Sequence, residues 1–319
     1  MDGSQVAVVI PNWNGEELLD DCLRSLLRQS IKARIIVVDN GSSDNSVDLI
    51  KTKYPSVIIM QMDKNYGFTG GVNRGIECAI DLGCAYIALF NNDAVADKEW
   101  LKELLLIMSK QPHTGIVTGK LMQMDKKRID STGEFIRRNA MPYSRGRGEA
   151  DNGQYEKAGQ VFAASGGASL YRTKMLRQIG LFDEDYFAYF EDVDISFRAQ
   201  LMGWHIYYQP SARAFHHIGK TSDRLGSFRR YHSVKNYVLL YNKNMPGYLY
   251  WKHKPGFFVQ LLRMGVGSIR DREFSTYLRA FARSILLLPS TLSKRRSIQK
   301  HRVVNTSYIS NWVEKGGTK

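Results

Sequence analysis

Residues 33–46 read ARIIVVDNGSSDNS. An uninterrupted apolar run ends in a carboxylate, and a turn of Asn, Gly and Ser follows. A β-branched run without alternation belongs to a strand buried on both faces, as in a parallel sheet covered by helices. The same grammar recurs at 6–10, 57–60 and 86–90. Between these runs lie helical patterns at 16–29, 45–53, 71–82 and 98–110. Asp44 and Asp97 stand as N-caps, and Gly83 stands as a C′ residue. Strand and helix alternate, so the expected fold is α/β, an open and mostly parallel sheet flanked by helices.

The segment 120–160 is polar and rich in Gly and Arg, and reads as a mobile loop with an edge hairpin. Order is expected to return with a strand at 168–171, a helix after Thr173, a helix from about Asp192, and strands at 205–208 and 212–215. Beyond residue 228 the pattern is helical, broken by Pro246, Pro255 and Pro289.

The chain of 319 residues is long enough to bury a core without metal or disulfide staples. Its three cysteines, Cys22, Cys78 and Cys84, include no CxxC pair, which fits a reducing compartment. There is no run of 18 apolar residues and no basic, apolar leader, so a cytoplasmic location is expected. The net charge of +14 is uneven. Residues 229–319 carry 18 Lys/Arg against three acids, whereas the preceding 228 residues are near neutral. Two regions are therefore expected, 1–228 and a basic, mainly helical 229–319.

In open α/β sheets ligands bind beyond the carboxyl ends of the strands. Those ends carry Pro11-Asn12-Trp13-Asn14-Gly15, Asp39-Asn40-Gly41-Ser42, Lys64-Asn65-Tyr66-Gly67 and Asn91-Asn92-Asp93. Any one is an ordinary turn; four in register mark a site. No GxGxxG follows the first strand and no P-loop occurs, which disfavours a standard dinucleotide fold and a P-loop nucleotidase.

Six stretches carry a resemblance: PNWNGEELLDDCLRSLL, VVDNGSSDNS, NYGFTGGVNRGI, ALFNNDA, GLFDEDYFAYFEDVDISFRAQLMGW and PSARAFHHIGKTS. In this order they are similar to the inverting family-2 glycosyltransferases, in particular the rhamnosyltransferase-like branch, over roughly residues 4–222. The resemblance implies a GT-A fold, a nucleotide-sugar donor, a divalent metal (Mg2+ or Mn2+) and single displacement at the anomeric carbon. It implies dTDP-L-rhamnose as donor and a glycan on a polyprenyl diphosphate as acceptor. A UDP-sugar enzyme of galactofuranosyl or N-acetylhexosaminyl type is the second reading, and a non-catalytic nucleotide-sugar-binding protein the third.

Residue by residue, the resemblance puts Asp39 on a pyrimidine N3–H, with Pro11, Trp13, Asn65 and Gly67 lining base and ribose. Asn92 and Asp93 occupy the place of a DxD motif, with Asn91 where its first acid would stand. Asp93 is the carboxylate that can ligate a hard cation, and His216 matches a second metal ligand, with His217 the weaker candidate. Asp192 matches the general base, Glu191 would orient it or bind acceptor, and Gly166-Gly167 lie beneath the sugar or acceptor. Asp194 suits a helix-dipole role and Asp183 a loop-structuring one. The basic tail has two readings: a platform for anionic membrane and a lipid-diphosphate acceptor, through Lys294-Arg295-Arg296 and the cluster Tyr248, Tyr250, Trp251, or a solvated helical extension or homodimer interface. Nucleic acid is not expected, because the tail carries no helix-turn-helix or RRM-like signature.

Overall fold

The computed structural model describes residues 5–217 and 226–315. Its first strand, β1 (Val6–Asn12), explains the apolar runs. Val6, Val8 and Ile10 pack on Leu19, Leu23 and Leu26 of α1 (Glu16–Leu27) and on Trp100 and Leu104 of α4 (Trp100–Lys110). Ala7 and Val9 face the other way, onto Val72 and Ile76 of α3 (Gly67–Asp81). With both faces covered, no position from Val6 to Ile10 is left for a polar side chain.

Strand β1 lies parallel to β2 (Arg34–Asp39) on one side and to β4 (Tyr86–Phe90) on the other, and β3 (Ile58–Gln61) lies parallel to β2 beyond it. Helix α2 (Ser46–Lys53) makes the crossover between β2 and β3. The order β3-β2-β1-β4 reverses direction between β1 and β4, which opens a crevice at the strands' carboxyl ends. Asp44 acts at two helix starts, accepting from the N–H of Ser46 and from that of Glu16. Gly83, at φ +78°, closes α3 as expected: its N–H reaches the Ile80 carbonyl and that of Cys84 reaches Ala79.

Past β4 the sheet changes character. A short β5 (Ala94–Ala96) leads to β6 (Thr114–Gln123), and β11 (Ala168–Arg172) runs antiparallel between β4 and β6. Strand β12 (His205–His216) lies parallel to β6 and antiparallel to β5. The two strands expected at 205–208 and 212–215 are thus one strand with a register shift between Gln209 and Arg213.

Strand β6 is not visible in the pattern. Its sequence TGIVTGKLMQ places Lys120 in the middle of the core, where the ammonium pairs with Asp151 at 3.0 Å and with Glu156. The mobile loop expected at 120–160 is also corrected. Strand β7 (Ile129–Ser131) and the hairpin of β8 (Glu134–Ile136) and β9 (Pro142–Ser144) are present, and residues 129–136 are buried. Their polar side chains face hydrogen-bonding and ionic partners rather than water.

After β10 (Gly159–Gln160), β11 and α5 (Thr173–Ile179) comes α6 (Glu191–Leu201). The C-terminal region is helical: α7 (Gly226–Asn244), α8 (Gly247–Lys252), α9 (Lys254–Arg270), α10 (Phe274–His301) and α11 (Thr306–Lys315). Helix α10 runs through Pro289 instead of ending there. Tyr237, Leu240 and Tyr241 of α7 share one hydrophobic cluster with Val193 and Phe197 of α6. Two of the three cations at 294–296 turn inward. Lys294 pairs with Asp183 at 2.6 Å and Asp185 at 2.7 Å, and Arg295 donates to the Asn242 and Met245 carbonyls and covers the Tyr250 ring. Among the described residues no helix is long and apolar enough to cross a membrane.

Candidate active site

The carboxyl ends of β1, β2 and β4 are joined by side chains. Buried Asn12 donates to Asp39 at 3.1 Å, and its carbonyl oxygen accepts from Asn92 at 2.8 Å. Asp39 also accepts from the Ser42 N–H at 3.1 Å and from the Ser42 hydroxyl. A carboxylate has about four acceptor sites; three are used, so Asp39 is both a turn residue and an acceptor with capacity left. A Cβ on Gly15 would lie 2.2 Å from the Asn92 side chain and 2.4 Å from that of Asn12, so only glycine lets α1 begin against this bridge. Trp13 is 42% exposed at the mouth and Pro11 is half-buried beside it.

Asn65 accepts from the N–H of Gly67 at 2.8 Å. Gly67 has φ +75°, and a Cβ there would meet the Phe187 ring at 2.6 Å. The close approach that this glycine permits is made by Phe187 of the chain's own loop.

His216 reaches the same edge from β12, whose register sets it opposite Ala94. Its Nδ1 lies 2.9 Å from Asp130 and its Nε2 3.0 Å from Asp93 Oδ1. Burial opposes the imidazolium, yet the hydrogen bonds to Asp130 and Asp93 carry its pKa up to about 10. Asp130 is held in turn at 3.0 Å from Arg147. A carboxylate fixing one imidazole nitrogen so that the other faces a site is the usual arrangement behind a metal-ligating histidine. The facing atoms, Asp93 Oδ1 and His216 Nε2, are buried and have no partner other than each other. Two adjacent ligands of an octahedral ion with bonds of about 2.1 Å also lie about 3 Å apart, so the pair fits a small divalent cation. Among the described residues no group of three or more His, Cys, Asp or Glu side chains could hold a metal unaided. His217 is half-buried and its N–H donates to the Asp93 carbonyl; the end of its motif, 218–222, lies outside the described residues.

Because β11 is antiparallel, it begins where β4 ends, and Gly166-Gly167 arrive at the same edge. The Gly166 N–H donates to Asp192 at 3.0 Å, and the Val193 N–H donates to its other oxygen at 2.8 Å. Burial raises the Asp192 pKa against the pull of these N–H groups and of Arg147. Glu191 is buried, and its Oε2 has no hydrogen-bond partner. Its pKa is pushed well up by burial and by the Asp192 charge. It touches Asp192 by charge rather than by a hydrogen bond.

A third carboxyl, Glu134, accepts from Ser131 at 2.7 Å and Ser144 at 2.8 Å. Burial and the Asp192 charge raise it to about 7. Asp130, Glu134 and Arg147 were not singled out from the sequence, because they sit in the polar segment that reads as loop. Asn12 was quoted in its motif but given no role, although a polar residue ending an apolar strand was signal enough.

The loop ahead of Asp192 is strained. Phe187, Tyr189 and Phe190 have φ of 64°, 70° and 68°, each costing of order 1 kcal/mol or more. Helix α7 holds them: Asn236 donates to the carbonyls of Tyr186, Ala188 and Tyr189 at 2.6–3.0 Å, and His232 stacks on Phe187 at 5.2 Å. Asp194, one turn into α6, is fully buried between Tyr186, Asn244, Arg198 and Lys243. Asp183 caps the 184–186 turn and pairs with Lys243 and Lys294.

A mostly parallel sheet with polar strand ends, an Asn-Asn-Asp turn and an acidic helix start is the architecture of a GT-A glycosyltransferase. Solved structures share it. GalNAc-T7 with UDP, GalNAc and Mn2+ aligns with TM-score 0.62 at 14% identity, over 88% of this chain and 57% of its own. S. aureus TarS 1–349 aligns with TM-score 0.57 at 14% identity, over 93% and 90%.

Residues 7–180 match the profile of glycosyl transferase family 2, and the chain belongs to that family. It is a glycosyltransferase. Among its relatives is the N-acetylglucosaminyl-diphospho-decaprenol L-rhamnosyltransferase of Mycobacterium tuberculosis, 28% identical over 66% of this chain and 75% of the relative.

Proposed function

We propose that the protein transfers L-rhamnose from dTDP-L-rhamnose to a lipid-diphosphate-linked glycan with inversion, Asp192 acting as general base. The observation that carries this reading is Asp192 itself. A carboxylate of raised pKa is fixed by the Gly166 and Val193 N–H groups, at the edge where Asn12, Asp39, Asn92, Asp93 and His216 converge. Its lone pair takes the acceptor hydroxyl proton as the oxygen bonds the anomeric carbon. The bond from that carbon to the diphosphate breaks, and its electrons leave with the nucleotide. Asp39 accepts the pyrimidine N3–H, with Pro11, Trp13, Asn65 and Gly67 about base and ribose, and Gly166-Gly167 floor the sugar and acceptor space. Asp93 and His216 would hold a divalent cation, Mg2+ or Mn2+, which when bound would supply positive charge against the departing diphosphate. The Asp192 charge and burial push Glu191 and Glu134 toward their protonated forms, which leaves Asp192 as the carboxylate of the three that takes the proton.

Similarity to the mycobacterial rhamnosyltransferase supports the sugar and the lipid-linked acceptor, and such an acceptor puts the enzyme at the cytoplasmic membrane face. A UDP-sugar is the second reading, because uracil offers Asp39 the same N3–H as thymine. A thermal-shift and turnover panel of dTDP- and UDP-sugars, with and without chelator, tests both readings. Stabilisation and turnover by dTDP-rhamnose are expected; turnover by UDP-sugars alone overturns the rhamnose assignment.

A further inference from the structure

The turn after β9 belongs to the Gly/Arg-rich stretch that reads as mobile in the sequence, yet it is firmly held. Its residues Arg145-Gly146-Arg147-Gly148 set two arginines apart, each followed by a glycine. Gly146 and Gly148 have φ of +79° and +82°, a conformation that side chains rarely adopt. Arg145 turns inward. Its guanidinium lies 5.1–5.3 Å from the ring centres of Phe135, Tyr155 and Tyr208, and it donates to the hydroxyl and the carbonyl of Thr132. On the far side of the turn the Gly148 N–H donates to the Ile129 carbonyl, and the Ile129 N–H donates to that of Glu149. Arg147 is thus carried on a turn fixed at both ends.

The Arg147 side chain is 52% exposed and meets Asp130 Oδ1 at 3.0 Å, while Asp130 Oδ2 lies 2.9 Å from His216 Nδ1. An ion pair this open to water adds little stability, so packing does not account for the arrangement. The same turn reaches the base. Ser131, next to Asp130, and Ser144, three residues before Arg147, both donate to Glu134. The Glu134 backbone exchanges two hydrogen bonds with Ala163, three residues ahead of the Gly166 N–H that holds Asp192. Arg147, Glu134 and Asp192 share one corner. Four groups bear on Asp192 there: Glu191 of its own helix, Glu134 of β8, the Tyr171 phenol of β11, and Arg147. Burial and the Asp192 charge push the two glutamates toward neutral, and burial keeps the phenol protonated. Of the four, Arg147 is the group that answers the Asp192 charge.

We propose that Arg147 is a positioning residue of the transfer reaction: Asp130 steers its guanidinium to the corner where it serves as the counter-charge of Asp192. The role rests on the reading of Asp192 as general base. A base must be ionised before the acceptor hydroxyl arrives, and burial works against that. The guanidinium pulls both Asp192 and Glu134 the other way, and a guanidinium stays charged throughout the working pH range.

The test is the pH dependence of kcat/KM for wild type, Arg147→Gln, Arg147→Lys and Asp192→Asn. The donor is dTDP-L-rhamnose, with UDP-sugars as a second arm, and the acceptor is a lipid-diphosphate-linked glycan. The acid limb of the wild-type profile belongs to the coupled carboxyls of Asp192 and Glu134. Arg147→Gln should move that limb to higher pH by about one unit. It should lose about tenfold on the limb and regain most of the loss on the alkaline plateau, with donor Kd and melting temperature unchanged. Arg147→Lys, which keeps the charge, should leave the limb close to wild type. A loss by the same factor at every pH would make Arg147 a structural residue and overturn the assignment. So would an unmoved limb, or an Arg147→Lys limb displaced as far as that of Arg147→Gln. Asp192→Asn separates the two readings. If it is inactive while the Arg147→Gln limb stays in place, the role of Arg147 alone fails. If it turns over like wild type, the base assignment fails and this inference fails with it.

Discussion

Asp192 and Asp194 stand two residues apart on α6, and the protein treats them in opposite ways. Asp192 is partly open, receives two backbone N–H groups, and has its pKa raised by burial. Asp194 is closed off, and Lys243 and Arg198 hold its pKa below the usual carboxylate range although burial opposes them. One carboxylate has its pKa raised, as the proposed general base needs; the other is kept ionised as an anchor. The difference lies in what each meets. Asp192 faces the cleft where β11 begins, and Asp194 faces α7, which also holds the strained loop at 187–190. The basic C-terminal region thus supports the proposed base from behind.

The largest effect expected of this contrast is on Asp192→Asn. Transfer should fall about 10²–10⁴-fold with donor affinity and melting temperature near wild type. Asp194→Asn should do the reverse in kind. Removing one partner of a buried ionic cluster costs about 3–5 kcal/mol, read as a lower midpoint in denaturant, because Arg198 stays buried without its counter-charge and Lys243 keeps only Asp183. The stability that Asp194 contributes is present above its unfolded pKa near 3.8 and is lost as pH falls below it. Wild type should therefore steepen its loss of stability on acidification, and Asp194→Asn should flatten it.

Asn236→Ala probes the link between the two regions. Releasing the carbonyls of 186, 188 and 189 should lower kcat about tenfold or more, as misplacement of a catalytic group does, while donor Kd is unchanged. An equal change in both would make Asn236 a general packing residue.

The smallest effect is on Glu134. Its pKa is raised in the folded state to about 7, so the folded protein binds the extra proton and stability falls as pH rises from about 4.5 to 7. Glu134→Gln should remove that fall and melt a few degrees higher than wild type above pH 7, with little difference at pH 5. A constant offset at all pH values would show that Glu134 does not titrate there.

The sequence made the donor edge legible because its signals are local: an apolar strand, then Asp39, or Asn92-Asp93, at its end. It also made α6 legible through its clustered acids. Asp130, Glu134 and Arg147 were hidden, because a polar run reads as solvent-exposed when its partners, His216 and Asp192, lie far along the chain. Strand β6 was hidden by Lys120, whose two counter-ions come from a distant turn. Lys294 and Arg295 read as surface charge for the same reason. Pairing across the fold decides whether a charge faces water, and composition carries no record of it.

The central claim is that this cleft transfers a sugar in one displacement with Asp192 as base. The anomeric configuration of the first-formed product, read by NMR before mutarotation or further reaction, tests it most directly. A configuration opposite to that of the donor is expected. A product that retains the donor's configuration would contradict it, because retention requires a second displacement and a nucleophile where Asp192 is assigned to take a proton.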